Sequence, residues 1–214
     1  MTSKNAHLSL FGLVLAAWSS IGCQMADVMY VHDDFKTIEE IGPIAVLPII
    51  DARVAPDADH DFAEVTAGQQ VAVVGNLQKK GYEVAATADI GAVSSLSGED
   101  FEKADAEWVR ALGPPEVRWV MGVLVTDLTS TVALGKYANA TVTAYLFNRD
   151  TGELWWKAAA TAKSSAGILT SLMINEEKGA VQGAIVHVGM AYPTNRDRLK
   201  VGPRRTGRAT SATP

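Results

Sequence analysis

Two places in this 214-residue chain hold residue types able to do chemistry. The first is "DARVAPDADHDF", residues 51–62, in which Asp57, Asp59 and Asp61 alternate around His60, with Asp51 just ahead. Carboxylates at this spacing are the oxygen donors of a calcium loop. The turn glycine such a loop needs falls on Phe62, however, and its closing glutamate on Gly68, so an EF-hand is excluded. Two readings remain: a looser calcium or zinc site on Asp57, Asp59 and Asp61, or a solvated acidic loop whose Asp61 caps the next helix. The second is the expectation, with no metal assigned. No G-x-S-x-G, H-E-x-x-H, G-x-x-x-x-G-K or G-x-G-x-x-G pattern occurs. Only four histidines are present, and His32 and His187 lie far from the acidic cluster, so a Ser-His-Asp triad has little support. A protein that is not an enzyme and takes no cofactor is expected.

The second place is Cys23, the only cysteine, in "LAAWSSIGCQMADV". A lone thiol excludes an internal disulfide framework and structural zinc sites built on several cysteines. Residues 1–22 read as an export signal, with Lys4, an apolar segment from Leu8 to Trp18, and small residues before the cysteine. The apolar segment is too short for a bilayer span of about 20 residues. "SSIGC" resembles the lipobox of bacterial lipoprotein precursors: Ile21 and Gly22 fit, whereas Ser20 stands where leucine is usual. The resemblance implies that Cys23 receives diacylglycerol and becomes the acylated N-terminus, a palmitate-type anchor at about 0.8 kcal/mol per buried methylene. Gln24 stands where inner-membrane retention typically uses aspartate, which implies the outer membrane. An ordinary secretory signal with an incidental cysteine is the rival reading.

Charge is divided unevenly. Residues 24–195 carry 12 Lys and Arg against 23 Asp and Glu, a net of −11. From residue 196 onward Arg196, Arg198, Lys200, Arg204, Arg205 and Arg208 face Asp197 alone, a net of +5. An acidic body is a poor binder of phosphate backbones, so no nucleic-acid partner is expected. The tail, residues 194–214, lacks apolar periodicity and reads as a basic disordered extension. It is either solvated or in contact with anionic lipid or an acidic partner.

The elements that must position these groups follow from periodicity. Residues 23–42 are polar and read as a lipidated tether. "GPIAVLPII" (42–50) reads as a buried strand, followed by a helix over 61–80 stopped by Gly81 and a strand over 82–86. A helix over 101–112, a long central strand over 117–130, and a hairpin turning at Asp150, Thr151 and Gly152 come next. In the last helix Val181, Ala184, Ile185, Val188 and Tyr192 make one stripe, ended by Pro193, while His187 lies off it; Gly183 and Gly189 are placed to let it pack closely on the sheet. The order β-α-β-α-β-β-β-α predicts an α/β fold, a mixed sheet flanked by helices, over 43–193.

Two apolar features are candidate partner surfaces. Trp155 and Trp156 are adjacent on a predicted strand, where consecutive side chains point to opposite faces, so both should not enter one core. "SSAGILTSLMIN" (164–175) carries Ile168, Leu169, Leu172 and Met173, either as the first turns of the last helix or as a mobile segment that docks a partner or membrane.

"IAVLPI", "LQKKGYEV", "DTGELWW" and the ending "GILTSLMI…GAVQGAIVHVGMAYP" together resemble bacterial outer-membrane lipoproteins related to the curli-secretion (CsgG-like) lipoprotein and the TolB amino-terminal domain. The resemblance implies a TolB amino-terminal-like, anticodon-binding-like α/β domain facing the periplasm. It also implies an accessory role in envelope assembly, secretion or transport, beside other envelope lipoproteins, secretion components or further copies of the chain. It supplies no catalytic residues. The rival is a soluble periplasmic metal-binding protein or hydrolase using the loop from Asp57 to Asp61.

Overall fold

The computed structural model describes residues 26–36, 41–54, 61–85, 96–132, 135–167 and 175–194. In chain order the elements are β1 (Asp27–Val31), a 3-10 turn (Asp33–Lys36), β2 (Ile44–Val46), β3 (Ile50–Asp51), α1 (Phe62–Thr66), α2 (Gln69–Lys79), α3 (Gly98–Glu102), α4 (Ala106–Ala111), β4 (Trp119–Val132), β5 (Gly135–Asn148), β6 (Glu153–Gly167) and α5 (Glu176–Ala191). The strands make one sheet in the order β1-β6-β5-β4-β2, with β3 also on β4. β2 and β3 run parallel to β4 and the other pairs are antiparallel, so the mixed sheet flanked by helices is the fold observed.

Alternation along the strands creates two apolar faces. Trp119, Met121, Val123 and Val125 of β4 point to one side with Val142, Ala144 and Leu146 of β5, under α2 and α5. Val120, Leu124, Tyr145 and Phe147 point to the other, against Phe101 of α3 and Val109 of α4. Beyond these short helices that second face is open and polar, with Asp127, Thr129, Thr131, Lys163 and Ser165 exposed, as an antiparallel sheet permits.

The last helix buries its expected stripe of Val181, Ala184, Ile185, Val188 and Tyr192, each larger apolar side chain contributing about 1.5–3 kcal/mol. Ala158, Ala160 and Ala162 of β6 keep the sheet low enough to receive it. A Cβ on Gly183 would lie 2.9 Å from that of Ala162, whereas one on Gly189 would lie 2.6 Å from Asn76 of α2. Close approach to the sheet thus holds for Gly183, and Gly189 serves a helix-helix contact instead.

Several boundaries differ from the sequence reading. The segment read as a tether contains β1 and the 3-10 turn, and Phe35 within it is 1% exposed. The apolar run over 42–50 splits into β2 and β3 around Pro48, which has no N–H for a ladder. The single helix over 61–80 is broken at Gly68, whose φ of 79° is left-handed, so α1 and α2 are separate. The helix over 101–112 is likewise two: Ser97 and Asp100 form a capping box on α3, and Asp105 caps α4. The strand over 82–86 is reduced to one parallel bridge between Ile44 and Val84. Residues 164–167, offered above as first turns of the last helix, belong to β6; α5 begins at Glu176 with Asn175 as its cap.

Candidate functional site

The acidic loop is the first place to look for chemistry. Asp57, Asp59 and His60 lie outside the described residues. The two carboxylates that can be placed are occupied. Asp51 accepts two hydrogen bonds from Arg53, Nε to Oδ1 and Nη2 to Oδ2, both 2.7 Å. Burial pushes the Asp51 carboxyl up, but the Arg53 hydrogen bonds and charge more than offset this and hold it below its ordinary value. Asp61 accepts from the Glu64 backbone N–H at 3.2 Å, the capping role expected of it. Among the described residues no group of three or more His, Cys, Asp or Glu could hold a metal ion.

Both candidate tryptophans are buried, Trp155 at 5% and Trp156 at 1% exposed, and both belong to the same core. The expectation that they split between faces fails because β6 is bulged. Leu146 pairs with Trp156 and Phe147 with Leu154, so Trp155 is an extra residue opposite one step of β5. A bulge re-aims one side chain and cancels the alternation locally. Trp155 stacks on His32 at 4.5 Å and meets Trp119 edge-on at 5.1 Å; Trp156 meets Tyr192 edge-on at 4.8 Å. Neither indole is exposed. Ile168, Leu169, Leu172 and Met173, and Cys23 itself, lie outside the described residues. His187 is half-buried on α5.

One reactive cluster escaped the sequence reading. The Tyr145 hydroxyl and the Lys157 ammonium both donate to Glu102 Oε1 at 2.6 Å, and Lys157 Nζ lies 5.0 Å from the centre of the Tyr145 ring. Its members are 43 and 55 residues from Glu102 along the chain, so no spacing signals it. Burial, and then the adjacent Glu102 carboxylate, push the Tyr145 hydroxyl far above its ordinary value. The Lys157 and Tyr145 hydrogen bonds hold Glu102 below its own, against burial. A tyrosine acting as base or nucleophile needs the opposite shift. This is a neutral donor and an ion pair that clip α3 to the sheet.

A cavity between α2, α5 and the sheet, about 360 Å³ including its open mouth, is lined mainly by apolar groups such as Leu77, Met121, Val142, Trp156 and Val188. So apolar a lining offers little to orient a polar substrate. Among the described residues no helix is long and apolar enough to cross a membrane.

What remains is an exposed surface where polar sequence had suggested a tether. β1 is an edge of the sheet, and all five of its residues are exposed, including Val28 (43%), Met29 (56%), Tyr30 (42%) and Val31 (36%). The signal in the sequence was "VMYV" itself, an apolar run inside the polar segment.

The sequence matches no protein-family model and no curated protein. Similar solved structures include lipoprotein GNA1162 from Neisseria meningitidis, 18% identical, covering 69% of this chain and 96% of that one at a TM-score of 0.45. PelC from Paraburkholderia phytofirmans, solved as a dodecamer, is 15% identical over 77% of this chain and 94% of its own, at 0.44. The hypothetical protein CT253 from Chlamydia trachomatis is 13% identical over 70% and 94%, also at 0.44. At this identity and degree of superposition no activity, ligand or assembly passes from them to this chain.

Proposed function

We propose that this chain is a lipid-anchored, non-enzymatic accessory subunit of a bacterial envelope assembly, secretion or transport system, held at the outer membrane and facing the periplasm. The observation that carries the reading is Cys23, preceded by an export-type apolar segment and by Ile21 and Gly22, and standing just ahead of the folded domain. The fates of the reactive groups support a non-catalytic role: Asp51 is held by Arg53, Asp61 caps α1, and the Glu102, Tyr145 and Lys157 cluster clips α3. The resemblance of "IAVLPI", "DTGELWW" and the last helix to curli-secretion and TolB-related lipoproteins supports the envelope setting. Tethering to a surface raises local concentration and so lets weak docking contacts suffice.

Metabolic labelling with a clickable fatty acid tests the anchor. Wild type takes the label and Cys23→Ala does not; equal labelling of the two overturns the reading.

A further inference from the structure

We infer that the β1 edge rests directly on the lipid surface, so that the domain stands edge-on at the bilayer with no tether beneath it. The inference rests on acylation of Cys23, as proposed above.

Asp27, the first residue of β1, is four positions after Cys23. Fully extended, four residues reach about 14 Å at ~3.5 Å each. The headgroup layer outside the hydrocarbon is roughly 5–7 Å deep on each side. An acyl chain seated in the hydrocarbon therefore leaves β1 within reach of the headgroups and little freedom to lift away.

The surface brought there suits that depth. Val28, Met29, Tyr30 and Val31 are apolar or amphipathic and exposed, and tyrosine is favoured at the headgroup level. An open strand edge carries polar backbone groups that hydrocarbon would leave unsatisfied. Asp27, Asp33 and Asp34 flank the apolar run and must stay in water. Both features limit the seat to the interface.

A second strand is a poorer occupant than lipid. The pairing of β1 with β6 shifts between Val28 and Tyr30, where Val28 faces Ala158 and Tyr30 faces Lys157, so Met29 is an extra residue. A bulge in an edge strand blunts it against further strand addition while leaving its side chains available.

The other end of the chain leaves the fold between the two edges of the sheet: the Pro193 carbonyl accepts from the Tyr82 hydroxyl at 2.9 Å, in the segment whose Val84 bridges to β2. Tyr192, after the last turn of α5, meets Trp156, the pairing partner of Val31, and lies 6.3 Å from Phe35 in the turn after β1. The basic residues begin at Arg196 and run on to Arg208. An acyl group and a basic segment in one chain make the two-signal arrangement that holds a protein at a membrane.

Methionine oxidation reads the contact, because Met29 is 56% and Met190 60% exposed. The Met190 carbonyl accepts from Lys80, the residue after α2, and α2 reaches β2, at the far edge of the sheet from β1, through Gln70. The acylated full chain is reconstituted in phosphatidylethanolamine and phosphatidylglycerol vesicles, treated with dilute peroxide and compared by peptide mass spectrometry with soluble full-length Cys23→Ser. Oxidation of Met29 falls several-fold on vesicles while that of Met190 is unchanged. If fatty-acid label is present but Met29 oxidises at its solution rate, the seating is wrong and the anchor stands. Absence of label overturns both. Protection of Met29 in the soluble variant that grows with protein concentration places a second copy on the edge and overturns the lipid seat.

Discussion

Trp155 and Trp156 are consecutive on one strand yet enter the same core, because Trp155 is the extra residue of a bulge and Trp156 keeps its pairing with Leu146. Trp155 then links the sheet to His32 and Trp119, while Trp156 meets the end of α5 at Tyr192. Truncating Trp156 to alanine removes a large side chain from a site beside an existing cavity and should cost about 3–5 kcal/mol. Urea unfolding monitored by far-ultraviolet circular dichroism checks this. A loss of partner binding at unchanged stability would instead return the indole to the surface.

The clip on α3 should give the protein a pH dependence at both ends. Glu102 has its folded value depressed, so its contribution is present above the ordinary carboxylate range and is lost as pH falls through the depressed value. Tyr145 has its folded value raised from 10.0, so its contribution is complete below that pH and declines as pH rises through the folded value. Tyr145→Phe should lose about 1 kcal/mol near neutrality, the hydrogen bond to a partly exposed carboxylate. Its stability should also fall less steeply than wild type above about pH 10. Urea midpoints across pH 7 to 11 on both proteins test the pair of claims.

Asp51 should behave as the partner of Arg53 and not as a metal ligand. Arg53→Ala leaves a half-buried carboxylate without its two hydrogen bonds and should destabilise by about 1–3 kcal/mol. Asp61→Ala should cost about 1 kcal/mol through loss of the cap on α1. If either substitution leaves the thermal midpoint unchanged but abolishes a calorimetric response to calcium or zinc, the loop is a metal site after all.

Where a stretch of chain buries one face only, its sequence was legible. The stripe on α5, the hairpin at Gly152 and the apolar face of Ala138, Ala140, Val142, Ala144 and Leu146 all follow from periodicity, and with them the mixed sheet flanked by helices. β1 was missed because all its side chains are exposed, which leaves no alternation to read, and its acidic neighbours suggest solvent. The tryptophans were misplaced because a bulge is a pairing event between strands and leaves no local mark. The Glu102, Tyr145 and Lys157 cluster exists only once α3 is laid on β5 and β6. The break within the first predicted helix was signalled locally by Gly68, and that within the second by the cap residue Asp105, but both were outweighed by continuous apolar spacing.

The basic tail should add a measurable, salt-sensitive attraction to anionic lipid. Each basic residue near an anionic surface contributes about 1 kcal/mol, and the tail has a net charge of +5 where the body has −11. The body is repelled by the same surface, so the tail acts through its own charge and not through the overall charge. Full-length Cys23→Ser should co-sediment weakly with phosphatidylglycerol vesicles and not with phosphatidylcholine vesicles. Removing residues 195–214 should abolish that binding, as should salt near 1 M, where the screening length falls to about 3 Å. Unchanged sedimentation after truncation would assign the attraction to β1 alone and leave the tail solvated.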